Sequence, residues 1–237
     1  DGAMNRRLYE RLDRRALELW QKSPRGQRLL QRQADELQRR LPDLFGRYFL
    51  QIGSWGAGGE LLAGCQMLHR AVLGTVNGAA GQARVQAECL PLADKSVDAL
   101  LLAHVLDFSE SPQAVLREVN RVLTERGRLI ILGFNPLSLW GLRQRLGLRD
   151  RTFPAAARFI RARRLCDWLE LLDFEVTEVT PVSLASTPTA SPLAGAYLLH
   201  AKKRVIPLSL IGRPRRSIGG SRVAPAADAG AGRRAFR

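Results

Sequence analysis

The amino-acid sequence predicts an α/β fold built on a doubly wound, mostly parallel sheet of seven strands. Short apolar runs typical of buried strands alternate along the chain with segments of helical periodicity. The run at 97–105 is nearly all apolar, which is typical of a central strand covered on both faces. The last two apolar runs have no helix between them, so they should form an antiparallel C-terminal hairpin.

The N-terminal segment at 6–45 predicts one or two amphipathic helices. Leucines recur at helical spacing on one face and arginines occupy the other, while Ser23-Pro24 and Gly26 indicate a break. We expect this segment to be a helical cap laid on the sheet. The expected organisation is a cap at 4–47, a sheet domain at 48–207 and a basic, disordered tail at 208–237.

The remaining elements follow from the same patterns. Strands are expected at 48–52, 70–76, 83–87, 97–105, 128–134, 174–180 and 196–202. Helices are expected at 60–69, 112–123 and 165–172. Ser111 and Pro112 suit the N-cap and first position of the second of these helices, and Gly127 suits the stop after it.

The composition favours one packed, cytoplasmic domain. A chain of 237 residues that is 46% hydrophobic is long enough for one domain and short for two. Three scattered cysteines favour reduced thiols over a disulfide framework. The apolar runs fall short of the roughly 20 residues that a membrane-spanning helix needs, so we expect no membrane span.

The net charge of +15 is concentrated at the C-terminus. Residues 201–237 carry ten Lys/Arg against one Asp, hence +9, whereas the other 200 residues carry 27 basic and 21 acidic groups. This tail is interpreted either as a solubilising extension or as an anchor for RNA or an anionic surface. A second basic segment at 135–165 is interpreted either as solvated helix faces or as a cationic mouth for an anionic substrate.

Four stretches resemble the class I S-adenosylmethionine-dependent methyltransferases, and specifically their type 11 branch. They are LQIGSWG at 50–56, ECLPLADKSVD at 88–98, AHVLDF at 103–108, and LREVNRVL at 116–123 followed by Gly127. The second and fourth are specific in combination, whereas the glycine turn alone is a weak signal. Further stretches at 133–141 and 167–169 are similar to a poorly characterised proteobacterial subgroup of that branch.

The resemblance implies a Rossmann-like fold, S-adenosylmethionine as the cofactor with S-adenosylhomocysteine as its product, and a small-molecule methyl acceptor in a bacterial cytoplasm. In the family, the cofactor lies at the carboxyl ends of the strands, where the strand order reverses. Carried onto this sequence, the resemblance predicts a cofactor site formed by Gln51, Gly53, Ser54, Trp55, Gly56, Gln86, Ala87, Glu88, Cys89, Ala103 and His104. Methyl transfer depends mainly on positioning, so no catalytic residue is assigned and no metal is expected.

The sequence departs from the family at the three carboxylates that hold the cofactor. Gln51 stands at the first, which steadies the methionine ammonium, and the second strand leads into Asn77 without an acid. Gln86 stands near the third, although nearby Glu88 can substitute for it. Each lost charge-assisted hydrogen bond costs about 1.5–3 kcal/mol. Trp55 replaces a family glycine, and is interpreted either as filling the pocket or as core under the first helix.

His104 is expected at the end of the fourth strand, either lining the pocket or as a hydrogen-bonded structural histidine. Asp107 is expected to cap the next helix rather than to partner His104, and Glu118 and Arg121 are expected to form an ordinary ion pair. Methyl transfer to a small molecule is the leading hypothesis. The alternatives are a non-catalytic binding or regulatory module with the same fold, and an RNA-binding or RNA-modifying protein.

Overall fold

The computed structural model describes residues 17, 19–53, 55–56, 60–75, 83–138, 141–142, 146, 157–183 and 194–204. These residues form a seven-stranded sheet. The strands are β1 (Tyr48–Ile52), β2 (His69–Thr75), β3 (Ala83–Val85), β4 (Val97–Ala103), β5 (Leu123–Phe134), β6 (Phe174–Val182) and β7 (Ala196–Lys203). The helices are α1 (Pro24–Gln38), α2 (Val105–Phe108), α3 (Pro112–Val122) and α4 (Ala162–Glu170), with 3-10 turns at Leu41–Asp43 and Glu60–Leu62.

The sheet order is β3-β2-β1-β4-β5-β7-β6, so the direction of winding reverses between β1 and β4. The first five strands pair in parallel, so their carboxyl ends all lie at the same end of the sheet. β7 pairs antiparallel with both β5 and β6. The predicted fold class, including the C-terminal hairpin, is confirmed.

Both faces of the sheet are covered, which explains the uniformly apolar β4. Side chains at alternate positions of the central strands enter two separate core clusters. α3 and α4 bury their apolar stripes in one cluster, while α1 and the turn at Glu60–Leu62 bury theirs in the other. The result is an α/β/α arrangement of three layers.

α1 begins at the break that the sequence predicted. Ser23 is its N-cap, and its hydroxyl oxygen accepts a 3.2 Å hydrogen bond from the Gly26 amide, with Pro24 in the first turn. Gly26 itself lies inside the helix rather than at the break. A side chain there would overlap the Trp20 carbonyl oxygen, so glycine lets the preceding helical turn pack closely.

The prediction of a helix at 60–69 is wrong. The described residues there form one 3-10 turn at Glu60–Leu62 and then an extended approach to β2. Gly64 has a φ of +81°, which ends the turn, and Cys65 and Met67 then point inward at the alternating spacing of an extended chain. β2 therefore begins at His69, where a helix was expected to end.

α3 ends earlier than expected, and Gly127 is not its stop. The carbonyls of Arg121 and Val122 accept hydrogen bonds of 2.9 Å from the amides of Lys95 and Ser96, so the loop before β4 caps the helix. The chain is then free to become extended, and β5 begins at Leu123.

Other boundaries also differ from expectation. β4 ends at Ala103, two residues early, because His104 takes a left-handed conformation with φ +57°. α4 begins at Ala162, before the expected 165, and β6 continues to Val182. No helix within the described ranges is long and apolar enough to cross a membrane. The expected disordered tail lies outside the described residues.

Replacing Gly133 with alanine should destabilise the fold by about 1–3 kcal/mol, because the new methyl group overlaps the Tyr197 ring and hydroxyl. We expect urea unfolding to show a lower midpoint with an unchanged slope. Combining Gly133→Ala with Tyr197→Leu should cost less than the sum of the two single changes, because the smaller side chain makes room. A Gly133→Ala protein with the wild-type midpoint would contradict this packing.

Candidate functional site

The carboxyl ends of β1 and β4 lie side by side at the point where the strand order reverses, which is where α/β folds bind ligands. β1 leads there into the glycine turn. Gly53 has a φ of +100°, and its amide donates to the Leu73 carbonyl at 2.9 Å. A Cβ at Gly53 would lie 2.6 Å from the Ala103 carbonyl oxygen, so only glycine lets the turn approach the end of β4 this closely.

Gln51 is fully buried at the end of β1 and ties the turn to the strand. Its Nε2 donates to the carbonyl oxygens of Gly53 and Trp55, at 3.0 and 3.1 Å. A carboxylate could make neither bond, because it has no N–H to donate at this place. The opposite atom, Gln51 Oε1, is buried without a hydrogen-bond partner among the described residues.

Trp55 lies under α1 and is 1% exposed, so the core interpretation is correct. Its Nε1 donates to Gln33 Oε1 of α1 at 2.7 Å. Its ring packs against the ring of His104 with centroids 4.2 Å apart. Together with these two rings, the aromatic cluster at this rim contains Trp20, Phe134 and Phe159.

His104 is held at both ring nitrogens, and Asp107 is its partner rather than a helix cap. His104 Nδ1 lies 2.9 Å from Asp107 Oδ2, and that oxygen also accepts from the Phe134 amide at 3.2 Å. On its other side, His104 Nε2 lies 3.0 Å from Gln33 Nε2 and 3.3 Å from Gln33 Oε1. The expectation that Asp107 would cap the helix is wrong, because the left-handed backbone of His104 turns the two side chains together.

The partners fix the direction of each hydrogen bond. Since the Trp55 indole can only donate, Gln33 must present its oxygen to Trp55 and its amide N–H groups to His104 Nε2. His104 Nδ1 therefore carries the proton and donates it to Asp107. We call this series, from Trp55 through Gln33 and His104 to Asp107, the hydrogen-bond chain.

Burial keeps the imidazole of His104, within the hydrogen-bond chain, in its neutral form. Desolvation lowers the pKa of His104 to about 3, so the imidazole is neutral at physiological pH. Desolvation also raises the pKa of Asp107 well above its usual value, although the hydrogen bond from the Phe134 amide opposes that rise. Asp107 Oδ1 has no hydrogen-bond partner within the described part of the chain.

The loop after β3 supplies the second group of predicted residues. The Cys89 amide donates to the Gln86 carbonyl at 3.1 Å, and this tight turn buries Ala87 while leaving Gln86, Glu88 and Cys89 exposed. Ser109 donates its hydroxyl to Glu88 Oε1 at 2.7 Å, which orients this carboxylate at the rim.

Glu118 and Arg121 do more than pair with each other along α3. Glu118 accepts from the Leu90 amide at 3.0 Å, and Arg121 donates to the Leu90 and Leu92 carbonyls at 3.0 and 2.9 Å. Arg121 also bonds to Asp94. The hydrogen bond from Arg121 lowers the pKa of Glu118 and keeps it ionised. This pair therefore clamps the loop that presents Glu88.

The predicted site residues thus fall into two groups on the same rim of the parallel strands. One lies at the ends of β1 and β4 and the other follows β3. Ser54, Asn77 and, in the basic segment, residues 139–140, 143–145 and 147–156 lie outside the described residues. No cluster of three metal-ligating side chains occurs in the ranges that the structure describes.

Sequence reasoning missed Gln33 and Ser109 and chose the wrong role for Asp107. One signal for Gln33 was present, because it interrupts the buried stripe of α1 between Leu29 and Leu37. A polar residue at such a position must find a buried partner. Ser109 had no comparable signal.

Comparisons with known proteins identify the family and the fold of this chain. Residues 66–131 match the family of methyltransferase domains of type 11. The uncharacterized protein YafS of Escherichia coli (strain K12) is 36% identical over 176 residues, which cover 70% of this chain and 72% of YafS. The chain belongs to the YafS family.

Comparison with solved structures shows that the likeness to methyltransferases covers the whole sheet of this chain. A methyltransferase of Archaeoglobus fulgidus superposes with a TM-score of 0.57 at 21% identity, covering 78% of this chain and 98% of its own. One of Thermotoga maritima gives a TM-score of 0.56 at 19% identity, covering 79% and 94%. The domain match at 66–131 and these superpositions show that this YafS relative has the fold of the S-adenosylmethionine-dependent methyltransferases.

Restoring a family-like acid with Gln51→Glu should destabilise the protein by about 1–3 kcal/mol at pH 7, because two backbone carbonyls lose their donor and face a carboxylate. Burial and these carbonyls raise the pKa of the introduced carboxyl above its usual value of about 4.3. The loss in free energy of unfolding relative to wild type is therefore smallest below about pH 4, and it grows as the pH rises toward that raised pKa.

Urea unfolding between pH 3.5 and 8 measures this deficit. Gln38→Glu, at an exposed position of α1, is the matched control and should leave stability within about 0.5 kcal/mol of wild type at every pH. A Gln51→Glu protein whose stability follows that of the control would show that the two carbonyl contacts are unimportant.

Proposed function

We propose that this protein transfers a methyl group from S-adenosylmethionine to a small-molecule acceptor at the rim shared by β1 and β4. The observation that carries the proposal is the unpartnered Gln51 Oε1, buried beside a glycine turn at the point where the strand order reverses. A buried acceptor without a donor is costly unless a ligand completes it. An ammonium group is a suitable donor.

The residues at the rim fit the cofactor in altered form. Gln51 Oε1 offers a neutral acceptor where the family has a carboxylate for the methionine ammonium. Glu88, oriented by Ser109, offers a charged acceptor for hydroxyl or amine groups of the nucleoside. The tight turn at Gln86 and Cys89 exposes polar groups beside it.

When bound, S-adenosylmethionine supplies a methyl group already activated by its sulfonium. The protein must therefore hold an acceptor in line and exclude water rather than generate a strong nucleophile. The aromatic cluster excludes water at this rim, and the clamp formed by Glu118 and Arg121 fixes the loop that carries Glu88.

A non-catalytic binding module with this fold is the second candidate. Two observations favour it: Trp55 is packed as core at a family glycine, and the group at the end of β1 is neutral. In that case, the rim would no longer bind a cofactor, and the fold would serve to bind a partner.

A more specific version of the main proposal is that the methyl acceptor carries a negative charge. Arg158, Arg161, Arg163 and Arg164 are exposed before and at the start of α4. Guanidinium groups bind carboxylates and phosphates through bidentate hydrogen bonds, which suits such an acceptor. RNA binding by the basic tail is the remaining alternative, and deletion of 213–237 tests it through RNA retention at low salt.

Calorimetric titration with S-adenosylmethionine and S-adenosylhomocysteine tests the main proposal. We expect micromolar binding, and we expect Glu88→Gln to weaken it about 10- to 100-fold through loss of a charge-assisted hydrogen bond. Glu110→Gln, at an exposed position nearby, is the matched control and should bind as wild type. Folded protein that shows no binding at millimolar ligand would favour the non-catalytic module.

A further inference from the structure

Three leucines that follow β5 are exposed to water on the rim where the candidate site lies. Leu137, Leu142 and Leu146 are 50%, 48% and 66% exposed. The amides of Leu142 and Leu146 donate to the Ser138 and Leu142 carbonyls at 2.8 and 3.0 Å, so these two leucines lie one helical turn apart on the same face. A single exposed leucine is common on a protein surface, whereas a group of them indicates an interaction site.

The backbone that presents these leucines is anchored to the end of the sheet. The Asn135 amide donates to the Gly195 carbonyl at 3.0 Å, and Asn135 Nδ2 donates to the Ala194 carbonyl at 2.9 Å. The buried hydroxyl oxygen of Ser138 accepts from the Gly141 amide at 2.9 Å. A Cβ at Gly141 would lie 2.7 Å from the Asn135 carbonyl oxygen, so this turn is tightly packed. The leucines are therefore exposed on a segment whose backbone is held in place.

Exposed arginines lie on the same rim. Arg158 and Arg161 are both exposed, and the Arg158 amide donates to the Asp107 carbonyl at 2.7 Å, beside the end of β4. α4 begins directly after Arg161, at the carboxyl end of the parallel strands. The sequence at 143–151 contains four more arginines and one aspartate. This rim therefore combines exposed apolar groups with exposed positive charge.

The combination of leucines and arginines distinguishes between the possible partners. A small anion or RNA would pair with the arginines and leave the leucines in water. An apolar groove on another protein would cover the leucines but would offer the arginines no opposite charge. A membrane surface with anionic lipids suits both, because leucines enter the boundary between headgroups and acyl chains while arginines bind lipid phosphates. Such docking needs no membrane-spanning helix.

We propose that this rim docks, through its exposed leucines and arginines, on a membrane surface that contains anionic lipids. The docking surface does not include Gln51 or Glu88, the proposed contacts of the cofactor, so the inference goes beyond the proposed function and does not depend on it. In the docked protein, the rim that carries the candidate site faces the bilayer.

Cosedimentation of the full chain with lipid vesicles tests the proposal. We expect the protein to bind vesicles of equal parts phosphatidylglycerol and phosphatidylcholine at least about 10-fold more tightly than vesicles of phosphatidylcholine alone. Replacing Leu142 and Leu146 together with glutamine should weaken binding to the anionic vesicles at least about 10-fold, because two apolar side chains no longer leave water on docking.

Leu68→Gln combined with Leu171→Gln is the matched control, because these leucines are also exposed but lie next to the amino ends of β2 and β6. This control should bind the anionic vesicles within about twofold of wild type. The basic C-terminal tail is present in every protein compared, so its contribution cancels. Urea unfolding midpoints close to wild type show that both double variants are folded.

The arginines are tested in the same assay. Arg158→Gln combined with Arg161→Gln should weaken binding to the anionic vesicles about 10-fold at 0.1 M salt. Arg117→Gln combined with Arg126→Gln removes the same charge from exposed positions elsewhere and should change binding less than about threefold.

Two results would overturn the proposal. The first is a leucine double variant that binds anionic vesicles as tightly as its control, because binding would then come from charge alone. The second is wild-type protein that does not bind these vesicles, and retention of RNA by that protein would favour the RNA alternative. Neither result bears on the proposed function, which calorimetric titration with the cofactor tests separately.

Discussion

A chain of directed hydrogen bonds joins α1 to the carboxyl end of β4, and the geometry of the rim depends on it. The Trp55 indole can only donate, so it sets the orientation of the Gln33 amide, which in turn sets the tautomer of His104. Asp107 ends the hydrogen-bond chain. Since all four side chains are buried, breaking one bond leaves its partner unsatisfied in a place that water does not reach.

The same physical constraint explains the departures from the family at the end of β1. A family glycine has become Trp55, which fills the space under α1 and needs an acceptor there. A family acid has become Gln51, whose amide donates to the carbonyls of Gly53 and Trp55. The two replacements form one local structure, in which neutral donors and acceptors replace charge and leave Gln51 Oε1 buried without a hydrogen-bond partner among the described residues.

Patterns that depend on local periodicity predicted the fold, whereas a local glycine turn and contacts between distant residues account for the errors. The apolar run at 97–105 and the late hairpin were enough for the sheet. The helix expected at 60–69 failed because Gly64 and the inward-facing Cys65 and Met67 favour an extended chain. Gly127 was chosen as a helix stop because nothing local shows that amides from the loop before β4 cap α3.

The residues of the candidate site also fall into those found from a local motif and those that only distant contacts or backbone conformation reveal. The glycine turn and the loop around Glu88 were found because each is a contiguous motif that matches the methyltransferase family. Gln33 lies 71 residues from the histidine that it contacts, so no motif contains both. The role of Asp107 depended on the left-handed backbone at His104, a conformation that is uncommon outside glycine and that the sequence does not mark.

A double-mutant cycle between Trp55 and Gln33 tests the hydrogen-bond chain most directly. Stability is measured by urea unfolding for Trp55→Phe, Gln33→Leu and the combined variant. The second change should cost less in the presence of the first, with a coupling energy of about 1–3 kcal/mol, because the pair is then removed together rather than leaving one buried group unpaired. Costs that simply add, to within about 0.5 kcal/mol, would show that the two side chains pack independently and that Trp55 does not orient the Gln33 amide.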